Sequence, residues 1–125
     1  MNLDATSYFI STLLHSAAIT HTLHFRVTGE GSDAAHRALQ AYYEEIPDLV
    51  DSVAESIMGA YAQILPPYRG TFANTNLAPL EYMKNVQNFV NTERQNLPQN
   101  KEIQNEVDAI ANLVNHIVYR LTFLK

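Results

Sequence analysis

The stretch 103–124, IQNEVDAIANLVNHIVYRLTFL, gives the clearest indication of the architecture. Its apolar residues recur at intervals of three and four, which places them on one face of an α-helix. These residues are Ile103, Val107, Ile110, Val114, Ile117, Leu121 and Leu124. The pattern predicts a helix over about 100–123 with one buried face. We interpret that face as bundle core rather than as a zipper for a partner helix.

Three further segments, about 4–27, 33–64 and 79–96, show the same helical spacing. The expected inward residues are Ile10, Leu13, Leu14, Ala17, His21 and His24 in the first, Leu39, Tyr43, Ile46, Val50, Val53, Ile57, Tyr61 and Ile64 in the second, and Leu80, Met83, Val86 and Val90 in the third. No useful length of the chain alternates with period two. The sequence therefore predicts one all-α domain over 1–125, a four-helix bundle with a longer connection at 65–78.

Glycine and proline mark the predicted helix boundaries. Gly29 and Gly31 break the chain between the first two helices, and Pro98 ends the third. Pro66 and its neighbour Pro67 end the second helix. Pro47 lies within that helix and is expected to kink it, because proline lacks an amide donor and crowds the preceding turn.

The composition excludes several classes of function. A net charge of −5 and a pI near 5.4 make DNA binding unlikely, because a phosphate backbone requires a basic surface. The chain has no cysteine, which excludes disulfides, zinc–thiolate sites and thiol catalysis. No apolar run approaches the roughly 20 residues that span a bilayer. The N-terminus lacks a basic segment and carries Asp4, so we expect a cytoplasmic protein with no membrane partner.

Two histidines flank the turn between the first two helices, in HFRVTGEGSDAAH at 24–36. Imidazoles at His24 and His36 suit a first-row transition metal. Asp51 and Glu55 are suitable carboxylates one helical turn apart. Successive residues of a helix are rotated by about 100° around its axis. Five later residues of the second helix therefore share the side of His36, within an arc of about 100° beside the apolar stripe. These positions are Gln40, Glu44, Pro47, Asp51 and Glu55.

The histidines and the carboxylates of a single chain are too far apart to bind one ion. His36 and Asp51 are separated by about 22 Å along a helix with a rise of 1.5 Å per residue. A two-fold homodimer with antiparallel second helices would bring Asp51 and Glu55 of one subunit against His24 and His36 of the other. Its axis would pass near Glu44, and an isologous dimer is the commonest oligomer.

The spacing of these residues resembles the signature of the Dps family, the miniferritins. That signature is histidine, eleven residues, histidine, three residues, aspartate, ten residues, aspartate, three residues and glutamate. The segment at 24–36 is similar to H-W-x-V-x-G, and DSVAES at 51–56 is similar to D-x-x-A-E-R. The resemblance implies a ferritin-like bundle that acts as a ferroxidase on Fe(II) between two-fold-related subunits. It also implies iron storage and detoxification in a twelve-subunit cage.

Carried over position by position, the resemblance assigns His24, His36, Asp51 and Glu55 as both metal ligands and catalytic residues. His21 and Gln40 are candidates for supporting side chains. The chain also departs from the family pattern. Gln40 stands where the family has aspartate, Phe25 replaces its tryptophan, Ser56 replaces its arginine, and the lysine-rich N-terminal tail of many members is missing. The substitution at Gln40 indicates one firm metal position rather than two.

Three functions remain open on the sequence. The first is ferroxidase activity, and the second is a metal that staples a structural or interaction dimer without turnover. The third is a metal-free helical interaction module, in which His24 is an ordinary core or interface residue. Small phage-encoded ferritin-like proteins are similar at this length, so a virion location is an alternative. The same ligands would also accept Zn(II), Mn(II) or Co(II).

Overall fold

Four α-helices account for most of the chain in the computed structural model, which describes residues 1–68 and 75–125. Their bounds are α1 Asp4–His24, α2 Ser32–Tyr61, α3 Pro79–Glu93 and α4 Lys101–Phe123, and a short 3-10 helix, Arg94–Asn96, extends α3. None of the described residues belongs to a strand. The all-helical prediction is therefore confirmed. Residues 69–74 of the predicted 65–78 connector lie outside the described residues.

The second helix ends earlier than its apolar pattern suggests. Ala62 takes left-handed backbone angles, φ 51° and ψ 46°, and its amide caps the carbonyl of Met58. This conformation cannot continue a right-handed helix. Ile64 therefore lies beyond the helix and is 85% exposed, so its predicted inward position is wrong. Pro47 lies inside α2, and the helix extends on both sides of it.

The predicted inward faces of α3 and α4 match the buried residues. Met83, Val86 and Val90 are buried on α3 and the predicted Leu80 is half-buried, and all the predicted α4 positions except Leu124 are buried. Leu124 follows the last helical residue and is 46% exposed. The buried apolar side chains of all four helices form one cluster. The apolar residues of these two segments recur with the helical period of 3.6 over a long stretch, and proline lies near the segment ends. This spacing identifies the buried faces of α3 and α4 correctly.

The predicted faces of α1 and α2 need correction. Leu14 is 42% exposed and His21 is also exposed, whereas Phe9 is fully buried. On α2, Tyr42 is fully buried in place of the predicted Tyr43. The position of Tyr42 is set by a contact on α1, where its hydroxyl lies 2.6 Å from Ser16 Oγ.

The connection after α2 begins and ends at opposite ends of α1. Ser7 Oγ donates to the Pro66 carbonyl at 3.0 Å, and Arg26 Nη1 donates to the Thr75 carbonyl at 3.5 Å. Pro66 and Thr75 therefore lie near opposite ends of the bundle, and α2 and α3 run in the same direction. The C-terminal end of α1 and the N-terminal end of α2 meet at one end of the bundle. No described helix is long and apolar enough to cross a membrane.

Candidate metal centre

A tight reversal after α1 places the two helix ends side by side. Gly29 has φ 84° and Gly31 has φ 79°, values at which a side chain would strain the backbone. The Ser32 amide donates to the Gly29 carbonyl at 3.1 Å, which closes the turn before α2 begins. This geometry brings His24, the last residue of α1, against the second turn of α2.

The rings of His24 and His36 are in contact across the helical hairpin. Their centroids are 3.7 Å apart and their planes are tilted by 31°. His36 Nδ1 lies 3.1 Å from the His24 carbonyl oxygen. Because a carbonyl only accepts, Nδ1 carries a proton, and in the neutral tautomer with this hydrogen bond the lone pair of the ring is on Nε2. A ring oriented in this way by a backbone carbonyl is a common arrangement for metal-ligating histidine.

His24 is only 7% exposed, and its Nδ1 is buried with no hydrogen-bond partner among the described residues. A buried polar atom of this kind requires an explanation, since most buried nitrogens are satisfied. Burial lowers the pKa of His24 and the neighbouring His36 lowers it further, whereas the His21 backbone and, more weakly, the Glu44 carboxylate act in the opposite direction. The direction of this shift favours the neutral ring, which is the form that binds metal. These properties fit a metal ligand.

His21 belongs to a column of rings beside this pair. Its ring stacks on Tyr43 at 4.0 Å with planes 10° apart, and on Phe25 at 5.2 Å. The His24 ring lies 5.3 Å from the Tyr43 ring, and the planes of these two rings are nearly perpendicular. It lies 4.8 Å from the Phe25 ring. The column restricts the orientations open to His24. His21 is exposed, whereas the sequence predicts an inward position for it, and its supporting role stays a prediction.

Gln40 lies one turn beyond His36 and contacts a carboxylate. Its Nε2 donates to Glu44 Oε1 at 2.8 Å. The amide of Gln40 is therefore engaged along the helix, and it holds the Glu44 side chain on the same stripe as His36. The sequence predicts for Glu44 only a position near the axis of the proposed dimer. The i, i+4 spacing of Gln40 and Glu44 was the signal that could have identified this pair.

Asp51 and Glu55 are not brought to the histidines within one chain. Both are exposed on α2, more than three helical turns beyond His36. Within residues 1–68 and 75–125, no three His, Cys, Asp or Glu side chains are grouped to hold a metal ion. The structure brings the His24 and His36 rings into contact, places the His21 ring 5.7 Å from the His24 ring, and leaves the two carboxylates apart. Any complete site with these six predicted residues, Gln40 included, requires a second chain.

The other histidine on α1, His15, has a structural environment. The Tyr68 hydroxyl lies 2.9 Å from His15 Nδ1, and the two rings meet edge to face at 4.6 Å. This contact joins the chain after α2 to the middle of α1. His116 is exposed on α4. Both agree with the expectation that these histidines are structural or face solvent.

Comparison with known proteins gives one family match. Residues 31–121, which include all of α2 and α3 and most of α4, match a family model described as a family of unknown function, DUF5856. No curated protein matches the sequence, and no solved structure does.

Proposed function

We propose that this chain, which belongs to the DUF5856 family of unknown function, binds Fe(II) at a site completed by a second copy of itself and oxidises it there. The contact between the His24 and His36 rings carries the proposal. The two rings lie together at the α1–α2 turn, while the carboxylates of Asp51 and Glu55 are exposed farther along α2. One subunit thus carries both halves of a ligand set at two separate places.

A two-fold dimer with antiparallel α2 helices joins these halves. His24 and His36 of one subunit then meet Asp51 and Glu55 of the other, and the symmetry makes two equal sites. The side of α2 that carries these carboxylates is accessible to a second subunit, because Glu44, Asp51 and Glu55 are exposed and Pro47 is half-buried. This accessibility supports the packing. The parallel direction of α2 and α3 is also the arrangement expected of a ferritin-like bundle.

The outer face of α1 supplies apolar area next to this stripe. Leu14, Ala18, His21 and Phe25 follow helical spacing and are all exposed, Phe25 to 71%. The stack of His21 on Tyr43 shows that this face borders α2. An exposed apolar patch beside polar residues is typical of a protein interface. In the proposed dimer this face, which we name the α1 face, packs against the second subunit.

The donor set suits Fe(II) as a substrate. Two neutral imidazoles and two carboxylates leave coordination positions open for dioxygen or peroxide, which accepts the electrons from iron. The protein residues bind and orient the ion, and burial of His24 favours the neutral form of its ring. The ferric product would enter the interior of a larger cage, which supplies storage and detoxification.

A metal-stapled dimer without turnover is the second candidate. The side chain of Gln40 favours this candidate, because it is a neutral amide whose nitrogen donates a hydrogen bond to Glu44. A site with a single firm metal position has no second ion beside it to share the oxidation. In this case the same four ligands hold Zn(II), Mn(II) or Fe(II) and stabilise the assembly.

Crystals soaked with Fe(II) test the shared part of both candidates. We expect anomalous scattering at the iron edge between His24 and His36 of one subunit and Asp51 and Glu55 of the next. Stopped-flow absorbance after addition of Fe(II) and peroxide then separates them, because only the ferroxidase yields ferric product at a rate above that of buffer. Metal elsewhere in the crystal, with none at these residues, would refute the proposed site.

The α1 face provides a separate test of the dimer. We expect Ala18→Arg to weaken self-association by at least about 10-fold in Kd, because it buries a charge in an apolar contact. Sedimentation velocity over a concentration series measures the effect. Ala109→Arg, an equal change at an exposed position of α4, is the matched control and should sediment like the wild-type protein. Equal sedimentation of all three proteins would rule out the α1 face as the interface.

A further inference from the structure

We infer that a cavity at one end of the bundle binds a small organic anion, in which an apolar body carries a carboxylate or phosphate head group. The cavity has a volume of about 620 Å³ and lies where the α1–α2 turn, the start of α3 and the end of α4 meet. Sites for small organic ligands have volumes of roughly 300–1,000 Å³. None of the five histidines, which all belong to the described part of the chain, lines the cavity, so the inference is independent of the proposed metal site.

The wall of the cavity is largely apolar. Its apolar side chains come from α1, α3 and α4 and from the segments beside them, and Leu124 remains 46% exposed. Contact with a hydrocarbon or aromatic body would remove this surface from water, which favours association. The wall therefore fits a ligand with an apolar body better than a simple ion. The large apolar lining residues are Leu23, Val27, Leu77, Leu80, Leu121 and Leu124.

Two cationic side chains belong to the same lining. Arg26 follows α1 and Lys125 follows α4. Neither forms an ion pair within residues 1–68 and 75–125. Glu30 is the one acidic side chain of the lining, so the side chains around the cavity carry an excess of positive charge in a chain whose net charge is −5. The cavity is therefore complementary in charge to an anion.

Contacts at this end of the bundle hold both cations in place. Arg26 Nη1 donates to the Thr75 carbonyl at 3.5 Å, which engages one of the five N–H donors of the guanidinium. The others can bind a carboxylate or a phosphate. Lys125 packs against the α1–α2 turn, where its Cβ lies 3.5 Å from the point that a Cβ of Gly31 would occupy.

The helix dipoles do not decide the sign of the ligand. Two helices, α2 and α3, begin at this cavity and two, α1 and α4, end there. The partial charges of opposite helix ends therefore largely offset one another. The preference for an anion depends on Arg26 and Lys125, and the apolar body depends on the leucine-rich wall.

Calorimetric titration of the whole, metal-free chain with octanoate, octyl phosphate and octanol tests both parts. We expect the two anions to bind at least about 10-fold more tightly than octanol, because only they use the cations. Acetate and inorganic phosphate should bind at least about 10-fold more weakly than the matching octyl compounds, because they bury no apolar surface. Octanol as tight as the octyl anions, head groups as tight as the octyl compounds, or no saturable binding at millimolar octanoate would overturn the inference.

The double variant Arg26→Gln with Lys125→Gln tests the two cations directly. It should weaken octanoate binding by about 10-fold and leave octanol binding unchanged. Both side chains are exposed, so helicity should be retained. Lys84→Gln with Lys101→Gln removes two exposed cations outside the lining and is the matched control, which should bind octanoate as the wild-type protein does. Equal octanoate affinity of all three proteins would overturn the role of the cations.

Nuclear Overhauser effects locate the ligand in the wild-type protein. We expect contacts between the octanoate chain and the methyl groups of Leu23, Leu80 and Leu121, which line the cavity. Contacts confined to other methyl groups would overturn the assignment of this cavity.

Discussion

Subunits carrying His36→Ala and subunits carrying Asp51→Ala, each inactive alone, should recover about a quarter of the wild-type rate of Fe(II) oxidation when they are co-expressed. A site between two subunits needs intact histidines from one and intact carboxylates from the other. In a random mixture, half of the subunits have intact histidines and the other half have intact carboxylates. Both conditions are therefore met at about a quarter of the sites. The recovery is therefore independent of the size of the final assembly.

Each variant alone should lose at least about a hundredfold of the oxidation rate, which corresponds to roughly 2.7 kcal/mol of activation free energy. The loss follows from the removal of one ligand of the bound Fe(II). Neither change should unfold the protein, because His36 is half-buried and Asp51 is exposed at the surface of α2. Circular dichroism checks that helicity is retained.

A mixture of His24→Ala and His36→Ala subunits is the matched control. Both defects lie in the histidine half of the site, so no arrangement of these subunits restores an intact set. Recovery in the first mixture and none in the second would locate the site between chains. Equal activity in both mixtures, or full activity of His36→Ala alone, would refute the assignment. If the wild-type protein binds iron without turnover, the same mixtures can be compared by Co(II) affinity.

The second large effect concerns stability and distinguishes two neighbouring tyrosines. Tyr42→Ala should cost about 3–5 kcal/mol of unfolding free energy, because it leaves a cavity in the core. Tyr42 is fully buried, and its hydroxyl lies 2.6 Å from Ser16 Oγ. Tyr43→Ala should cost about 1 kcal/mol, as for most half-buried surface positions. Urea unfolding of the metal-free protein, followed by circular dichroism, measures both.

Tyr42→Phe isolates the contribution of the hydroxyl group. Removal of the bond to Ser16 should cost about 1 kcal/mol, since Ser16 Oγ keeps its bond to the Leu13 carbonyl at 2.6 Å. The remaining loss in Tyr42→Ala then belongs to packing. An equal loss of stability in Tyr42→Ala and Tyr43→Ala would contradict the placement of α2 described above.

The sequence alone identifies the turn that joins the two histidines. Gly29 and Gly31 are needed for positive φ, and the short reversal they allow forces the end of α1 and the start of α2 together. His24 and His36 lie at those two ends, so their approach could be inferred from local chemistry. What they contact in detail could not, because the carbonyl bond of His36 and the ring column at His21 depend on how α1 rotates.

Local periodicity determined the four helices, their approximate ends and the buried faces of α3 and α4, since these depend on spacing within one segment. It could not choose between Tyr42 and Tyr43, which are adjacent, similar in size and both compatible with an apolar stripe. Only tertiary structure decided this, because the Ser16 hydroxyl on α1 offers a partner to Tyr42 and the exposed His21 ring stacks on Tyr43. The spacing of apolar residues locates the buried face of a helix to within one residue. Packing against a second helix then determines which of two adjacent residues is buried.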